Sequence, residues 1–489
     1  MAKSFGATVD ASQVGFDATR LKEIDKHFNR YVDEGRLAGY AVAVARRGEV
    51  AHFGTYGHKD SDTGAPITDD TIYRIYSMTK PITSIALMML VERGLLQLTD
   101  PVSKFIPSFA DTRVWNTGTV LKPLTNALTE PIRIWHLLTH TAGMTYGFMY
   151  TDVVDDMYRR AGFEAGVAYK DSLEVVCDKY AALPLLFQPG SSWNYSVATD
   201  IVGRVIEVVG KMPLDEFFEM NIFQPLEMRD TGFWVSNDKN DRVASLYRYD
   251  EATHKKAKLS SYGNNVLERP AFLSGGGGLV STAGDYFKFI RMLEGRGKSG
   301  NVQLVSSRTF EMMVMNHLPN NADISTFGRP LGEEIFYDGL GFGLGFSVVI
   351  DQAKTRVACP NGTFGWGGMA STAFWVDPVN EISAMFFTQL IPSSTYPIRQ
   401  YLRSLVYAAV TDSFELTQKL RDSLKSIRFV NNEPELIDIC LDFTICSDAE
   451  VSPSVWRYFC VLLSLLGDAE CFNIDDCNAD RCAVANEQW

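Results

Sequence analysis

Strand-like sequence stands at both ends of the first 412 residues and helical sequence lies between, which limits the folds open to the chain. Near the start, residues 39–45 (Gly-Tyr-Ala-Val-Ala-Val-Ala) and 49–54 (Glu-Val-Ala-His-Phe-Gly) flank Arg46-Arg47-Gly48. Two short apolar runs about a glycine-containing turn read as a hairpin. A second strand-rich stretch begins near 341–350 and continues through 371–376 and 382–388, and 396–410 reads as a closing helix. Between the two lie helical patterns over 77–96, 135–140, 173–181 and 199–209. Residues 17–34 form a further amphipathic pattern, with Leu21, Ile24, Phe28 and Val32 close to a 3.6-residue spacing. The arrangement predicts one sheet built from distant segments, with a helical insertion. No internal repeat or low-complexity stretch interrupts it.

Composition narrows the class. Of 489 residues, 46% are hydrophobic and 21% charged, which suits a globular chain and excludes a disordered chain, a collagen or a disulfide scaffold. The net charge of −13 argues against nucleic-acid and anionic-membrane partners, since both need clustered Lys and Arg. The acid is unevenly placed. Residues 413–489 hold 14 Asp+Glu against 6 Lys+Arg, so this tail carries −8 of the −13. It also holds Cys440, Cys446, Cys460, Cys471, Cys477 and Cys482, and only Cys177 and Cys359 precede it. The shift in both charge and cysteine predicts a boundary near residue 412, between a body at 1–412 and an extension of unknown role at 413–489. The start, Met1-Ala2-Lys3-Ser4-Phe5-Gly6, has no apolar stretch of a targeting segment. The run 459–466 is far shorter than the ~20 residues of a spanning helix. The expectation is a cytoplasmic protein with reduced thiols, and with no C-x-x-C pair to suggest zinc.

Three segments could carry chemistry. In Ser77-Met78-Thr79-Lys80-Pro81, apolar residues follow at Ile82, Ile85, Ala86, Met89 and Leu90, with Leu87 and Val91 beside them, so the helix is apolar nearly all round and predicted to be buried. Pro81 is tolerated only in a first turn, which sets Ser77 at or near the N-terminus. Residues three apart share a face, so the Lys80 ammonium falls beside the Ser77 hydroxyl. A serine needs an adjacent base to become a nucleophile, and a half-buried lysine can be or activate that base. The spacing alone carries little information. It recurs in the polar stretch Ser236-Asn237-Asp238-Lys239, and only context separates the two.

The second segment is the loop Gln188-Pro189-Gly190-Ser191-Ser192-Trp193-Asn194-Tyr195-Ser196. A tyrosine serves as a base near neutrality only beside a cation. One ammonium about 4 Å away supplies ~4 kcal/mol at an effective dielectric near 20, about what that change costs. The third is Gly365-Trp366-Gly367-Gly368-Met369, where glycines would admit a ligand to the backbone and a free strand N–H could serve an oxyanion. Taken singly, a loop tyrosine is more often a packing residue and a glycine-rich strand entry more often a turn.

Together the three segments form a set. Ser77-Met78-Thr79-Lys80-Pro81-Ile82, the stretch Trp135-His136-Leu137-Leu138-Thr139-His140-Thr141-Ala142-Gly143-Met144, the Pro-Gly loop into Tyr195-Ser196, Ser274-Gly275-Gly276-Gly277-Gly278-Leu279-Val280-Ser281-Thr282, the glycine-rich 341–346 and Trp366-Gly367-Gly368 follow in order. This series resembles the serine β-lactamase and penicillin-binding family, and within it the class C β-lactamase-like carboxylesterases, often called family VIII esterases. The likeness covers roughly residues 16–410. It implies an α/β (α+β) fold of the β-lactamase/transpeptidase type: an antiparallel sheet flanked by helices, with a mostly helical subdomain inserted at roughly 77–265. It further implies Ser77 as the acylated nucleophile, Lys80 with Tyr195 as the base system, and the N–H groups of Ser77 and Met369 as the oxyanion hole. Trp366, Gly367, Gly368, Tyr146 and Phe148 would border the substrate, though the aromatic loop 144–150 could equally pack on its own domain.

Two departures bear on activity. Lactamases of this family place Lys-Thr-Gly where this chain has Trp366-Gly367-Gly368, so the cation for a β-lactam carboxylate is missing. Class C lactamases usually carry Asn two residues after the tyrosine, where Val197 stands here. Both are features of the esterase group and weigh against efficient β-lactam hydrolysis, so the resemblance implies hydrolysis of small carboxylic esters, and no metal or organic cofactor is expected. His136 and His140 lack an H-E-x-x-H pattern and read as structural, Gly275-Gly276-Gly277-Gly278 reads as a tight turn, and no G-x-S-x-G elbow exists. The rival readings are an acyltransferase using the same acyl-enzyme, a β-lactamase or peptidase, and a catalytically silent scaffold. The sequence leaves the oligomeric state open.

Overall fold

A computed structural model of the chain describes residues 5–164, 170–259, 266–329, 337–393 and 395–411, together with Phe429–Val430 and Glu433–Pro434. It divides into two units, Met1–Asp412 and Ser413–Trp489. In the second, the described residues form one two-residue antiparallel pair. The predictions for the tail cysteines lie outside the described residues.

The first unit is organised by an eight-stranded sheet. Its strands are β1 (Gly39–Arg46), β2 (Glu49–Asp60), β3 (Ala65–Pro66), β4 (Leu340–Phe342), β5 (Ser347–Val349), β6 (Phe364–Gly367), β7 (Ala373–Asp377) and β8 (Ile382–Phe387), in the order β4-β5-β6-β7-β8-β1-β2-β3. Every pairing is antiparallel. β1 pairs with its hairpin partner β2 on one side and on the other with β8, with Ala43 opposite Met385. That junction joins the two distant strand regions into one sheet.

All eight residues of β1 are buried because helices cover both faces. Side chains alternate between faces along a strand. Tyr40, Val42 and Val44 share a core with Phe28 of α1 (Ala18–Asp33), and Ala41 and Ala43 face another cluster. Asp17 caps α1 by accepting from the N–H groups of Thr19 and Arg20.

The sequence after Ser77 forms a short 3₁₀ turn, Tyr76–Met78, and then α2 (Thr79–Glu92). The helix stops at Glu92, earlier than the pattern to residue 96 suggests, because Arg93 closes it and Gly94 turns left-handed at φ +70°. Every residue from Thr79 to Leu90 is buried. Truncating Ile85 to Ala is expected to cost about 2–5 kcal/mol, read as a lower denaturant midpoint at unchanged slope.

Further along come α3 (Ile134–Leu138), α4 (Ala198–Gly210), α5 (Ala283–Glu294) and α6 (Ile398–Ala408). α4 packs on α2, α5 on β1, β7 and β8, and α6 on α1. The stretch 341–350, read from sequence as one strand region, is two strands. Between β4 and β5 the chain reverses at Gly345, φ +99°, where a Cβ would lie 2.1 Å from Ser84 Oγ on α2. The turn is buried and apolar, so no polar residue marks it in the sequence. Among the described residues, no helix is long and apolar enough to cross a membrane.

Candidate active site

Ser77 is set by the chain before it. Tyr73–Arg74 pairs with Val280–Ser281, and the Ile75 N–H donates to the Leu279 carbonyl at 3.1 Å. Tyr76 then adopts φ +44°, a left-handed conformation unusual for a bulky residue and the kind of strain that clusters at functional sites. Two ties hold the turn behind Ser77: Tyr286 Oη donates to the Met78 carbonyl at 3.0 Å, and the Leu279 N–H donates to Thr79 Oγ1 at 3.2 Å.

In the first turn of α2, Lys80 is 1% exposed. Its Nζ donates to Gly276 O at 2.7 Å, Tyr146 Oη at 3.1 Å and Ser77 Oγ at 3.2 Å, matching the three donors of an ammonium. The same nitrogen lies 4.5 Å from the centre of the Tyr195 ring. Tyr195 Oη donates to Ser77 Oγ at 2.6 Å. The serine oxygen therefore lies between the Tyr195 oxygen and the Lys80 ammonium, within hydrogen-bond reach of both.

Tyr195 is carried by a loop laid against residues 140–145. The Gly190 N–H donates to Thr141 O at 2.8 Å, the Asn194 N–H to His140 O at 2.9 Å, and Asn194 Nδ2 to Met144 O at 2.9 Å. His140 packs 4.8 Å from the Tyr195 ring, and its Nδ1 is 3.2 Å from Ser196 Oγ. Burial, and secondarily the Lys80 charge, push His140 well below the usual imidazole range, so it is neutral. His136, lowered to about 4 chiefly by burial, accepts from the Arg133 N–H at 3.0 Å. Among the described residues no cluster of His, Cys, Asp and Glu could hold a metal ion.

The strand expected to border the substrate ends beside Ser77. Trp366 of β6 is half-buried, 5.5 Å from the Tyr195 ring. A Cβ on Gly367 would lie 2.2 Å from Arg399 Nη2, and one on Gly368 would lie 2.4 Å from the Ile75 carbonyl. These glycines thus admit protein, letting the strand end close on the turn that carries Ser77. Met369 packs with Tyr76. Phe148 stacks on Tyr146 at 4.6 Å. The second Ser-x-x-Lys lies apart, with Asn237–Arg242 forming a 3₁₀ turn that buries nothing.

The structure adds contacts to Lys80 that cannot be read from the sequence. Tyr146, expected to border the substrate, is a direct partner of Lys80. Gly276 gives Lys80 its shortest bond, although its glycine run reads in sequence only as a turn. The available signal was the place of that run in the series of segments that resemble the family.

Comparison with known proteins gives the family of the chain. The family model described as Beta-lactamase matches residues 24–407. An uncharacterised protein of Mycobacterium tuberculosis is 35% identical over 364 residues, 74% of this chain and 88% of the relative. Esterase EstB of Burkholderia gladioli is 29% identical over 418 residues, 82% of this chain and 99% of that protein. Among solved structures, EstCE1, described as a hydrolase with promiscuous acyltransferase activity, superposes with a TM-score of 0.68 at 28% identity, covering 81% of this chain and 99% of that one.

Proposed function

The chain belongs to the β-lactamase family, and on that premise we propose that it cleaves small carboxylic esters by two-step acyl transfer through Ser77. It has the β-lactamase/transpeptidase-like fold and is an enzyme of the serine hydrolase/acyltransferase kind. The observation that carries the finer reading is the position of Ser77 Oγ, 2.6 Å from Tyr195 Oη and 3.2 Å from Lys80 Nζ.

In the proposed reaction Ser77 Oγ attacks the ester carbonyl carbon while its proton passes to Tyr195 Oη, which accepts it as a phenolate paired with the Lys80 ammonium. The N–H groups of Ser77 and Met369 take the oxyanion, a contribution of about 3–4 kcal/mol per donor where such holes have been dissected. The tetrahedral adduct collapses, the alkoxide leaves with the transferred proton, and the acyl group stays on Ser77. Water enters by the same route in reverse and releases the acid. Trp366, Gly367 and Gly368 form one wall and Tyr146 with Phe148 another. Trp366, standing where lactamases carry a lysine, supports an ester over a β-lactam. The acidic segment 413–489 lies outside this chemistry, which the reading assigns to residues 1–412.

A second reading has a specific basis. EstCE1 is described as having acyltransferase activity, and the acyl-enzyme would be common to both fates. Rapid-quench turnover of a short-chain aryl ester is expected to release one equivalent of phenol in a burst and to leave an acyl adduct on the Ser77 peptide by mass spectrometry. Adding an alcohol then gives the split between hydrolysis and transfer. Turnover that leaves Ser77 unmodified, and unlabelled by a fluorophosphonate, would sink the reading.

A further inference from the structure

A buried carboxylate behind the site has no part in the scheme above. Asp200, in the first turn of α4, is fully buried. Its Oδ1 accepts from Ser274 Oγ at 2.6 Å and from the Gly276 N–H at 2.9 Å. The Gly276 carbonyl, on the same residue, accepts from Lys80 Nζ at 2.7 Å. On the other side, Thr83 Oγ1 of α2 donates to the Gly275 carbonyl at 2.7 Å. The glycine turn is thus clamped between α4 and α2, and the Lys80 ammonium hangs from it.

We propose that Asp200 is a positioning residue of the acyl-transfer site: by anchoring Gly276 it holds the carbonyl that fixes Lys80 Nζ against Ser77. Three observations support this. Among the described residues, the second carboxylate oxygen, Oδ2, is buried with no hydrogen-bond partner, a costly arrangement for a purely structural group. Burial raises the Asp200 carboxyl above its ordinary range, with the Ser274 hydroxyl and the Lys80 charge opposing it, so the group senses the site. A Cβ on Gly276 would lie 3.0 Å from Asp200 Oδ2, so only a bare backbone comes close enough to be anchored. A lysine has four rotatable side-chain bonds and needs fixed acceptors to stay in one place. Of its three acceptors, Ser77 is consumed in the reaction and Tyr146 is on a loop, which leaves Gly276 O as the fixed one.

The inference rests on the ester-hydrolase reading for its kinetic arm, so it is tested by kinetics and crystallography together. In Asp200→Ala, kcat for the aryl ester is expected to fall about 10–100-fold with KM within about threefold, the size of effect a displacement of an ångström produces. A crystal structure of that variant is expected to show Gly276 O beyond hydrogen-bond distance from Lys80. Asp200→Asn keeps an oxygen acceptor and is expected to recover kcat to within about threefold of the parent, the signature of a hydrogen-bond anchor. If Asp200→Ala fails to fold, Gly276→Ala displaces the same carbonyl with Asp200 in place and is expected to reproduce the kcat loss. An unchanged kcat in the variants, a loss in KM alone, or Asn as impaired as Ala overturns the proposal. If the parent turns over no ester, the hydrolase reading fails, and the position of Gly276 in the variant structure still decides this one.

Discussion

With Ser77→Ala, turnover of a short-chain aryl ester is expected to fall by about 10⁴–10⁶-fold, because removing the nucleophile leaves only what the oxyanion donors and substrate binding supply. The loss is expected in kcat, with KM close to the parent, since Ser77 Oγ makes its new bond only after binding. The change is structurally mild. Ser77 sits half-buried in a 3₁₀ turn, and its hydroxyl packs against polar atoms. Losing it removes one acceptor each from Lys80 and Tyr195, a cost of about 1–3 kcal/mol, so the variant is expected to unfold within a few degrees of the parent. Circular dichroism melting of both proteins separates lost chemistry from lost fold. Ester turnover that survives in a folded Ser77→Ala protein would remove the acyl-enzyme, and with it both the hydrolase and the acyltransferase reading.

Part of this site is legible in the sequence because the physics is local. Ser77 and Lys80 are three residues apart at the head of a helix whose start is marked by Pro81 and whose burial is marked by its apolar run. Such a pair meets wherever the helix forms. Tyr195 is 118 residues from Ser77, and no local rule brings it there; only likeness to a family suggested it. Asp200 and Gly276 are further still from being readable. They are 76 residues apart and touch only because α4 packs on α2 and the glycine turn threads behind both. The sheet follows the same division. Strand patterns at 39–54 and 371–388 are visible because they are long, whereas the turn at Gly345 is hidden in an apolar stretch. The net charge of −13 says little about the site, because most of it belongs to residues 413–489.

Tyr195→Phe and Lys80→Met should each lower kcat/KM for the same ester by about 10²–10⁴-fold, the usual worth of a positioned base. Phe keeps the ring that packs on His140 and Trp366 and removes only the oxygen 2.6 Å from Ser77. Met keeps most of the lysine stem in the buried pocket and removes the charge. The informative measurement is the double variant. If the two groups form one base system, either loss already disables it, and the double variant should be little worse than the poorer single. The geometry favours this outcome: Lys80 Nζ sits 4.5 Å over the Tyr195 ring, and both groups converge on one oxygen. Without the cation the phenol loses the field that would make it a base, and without the phenol the ammonium has no proton relay to the leaving group. Losses that instead multiply in the double variant would mean that each group acts alone, and the shared base system would have to be given up while Ser77 kept its role.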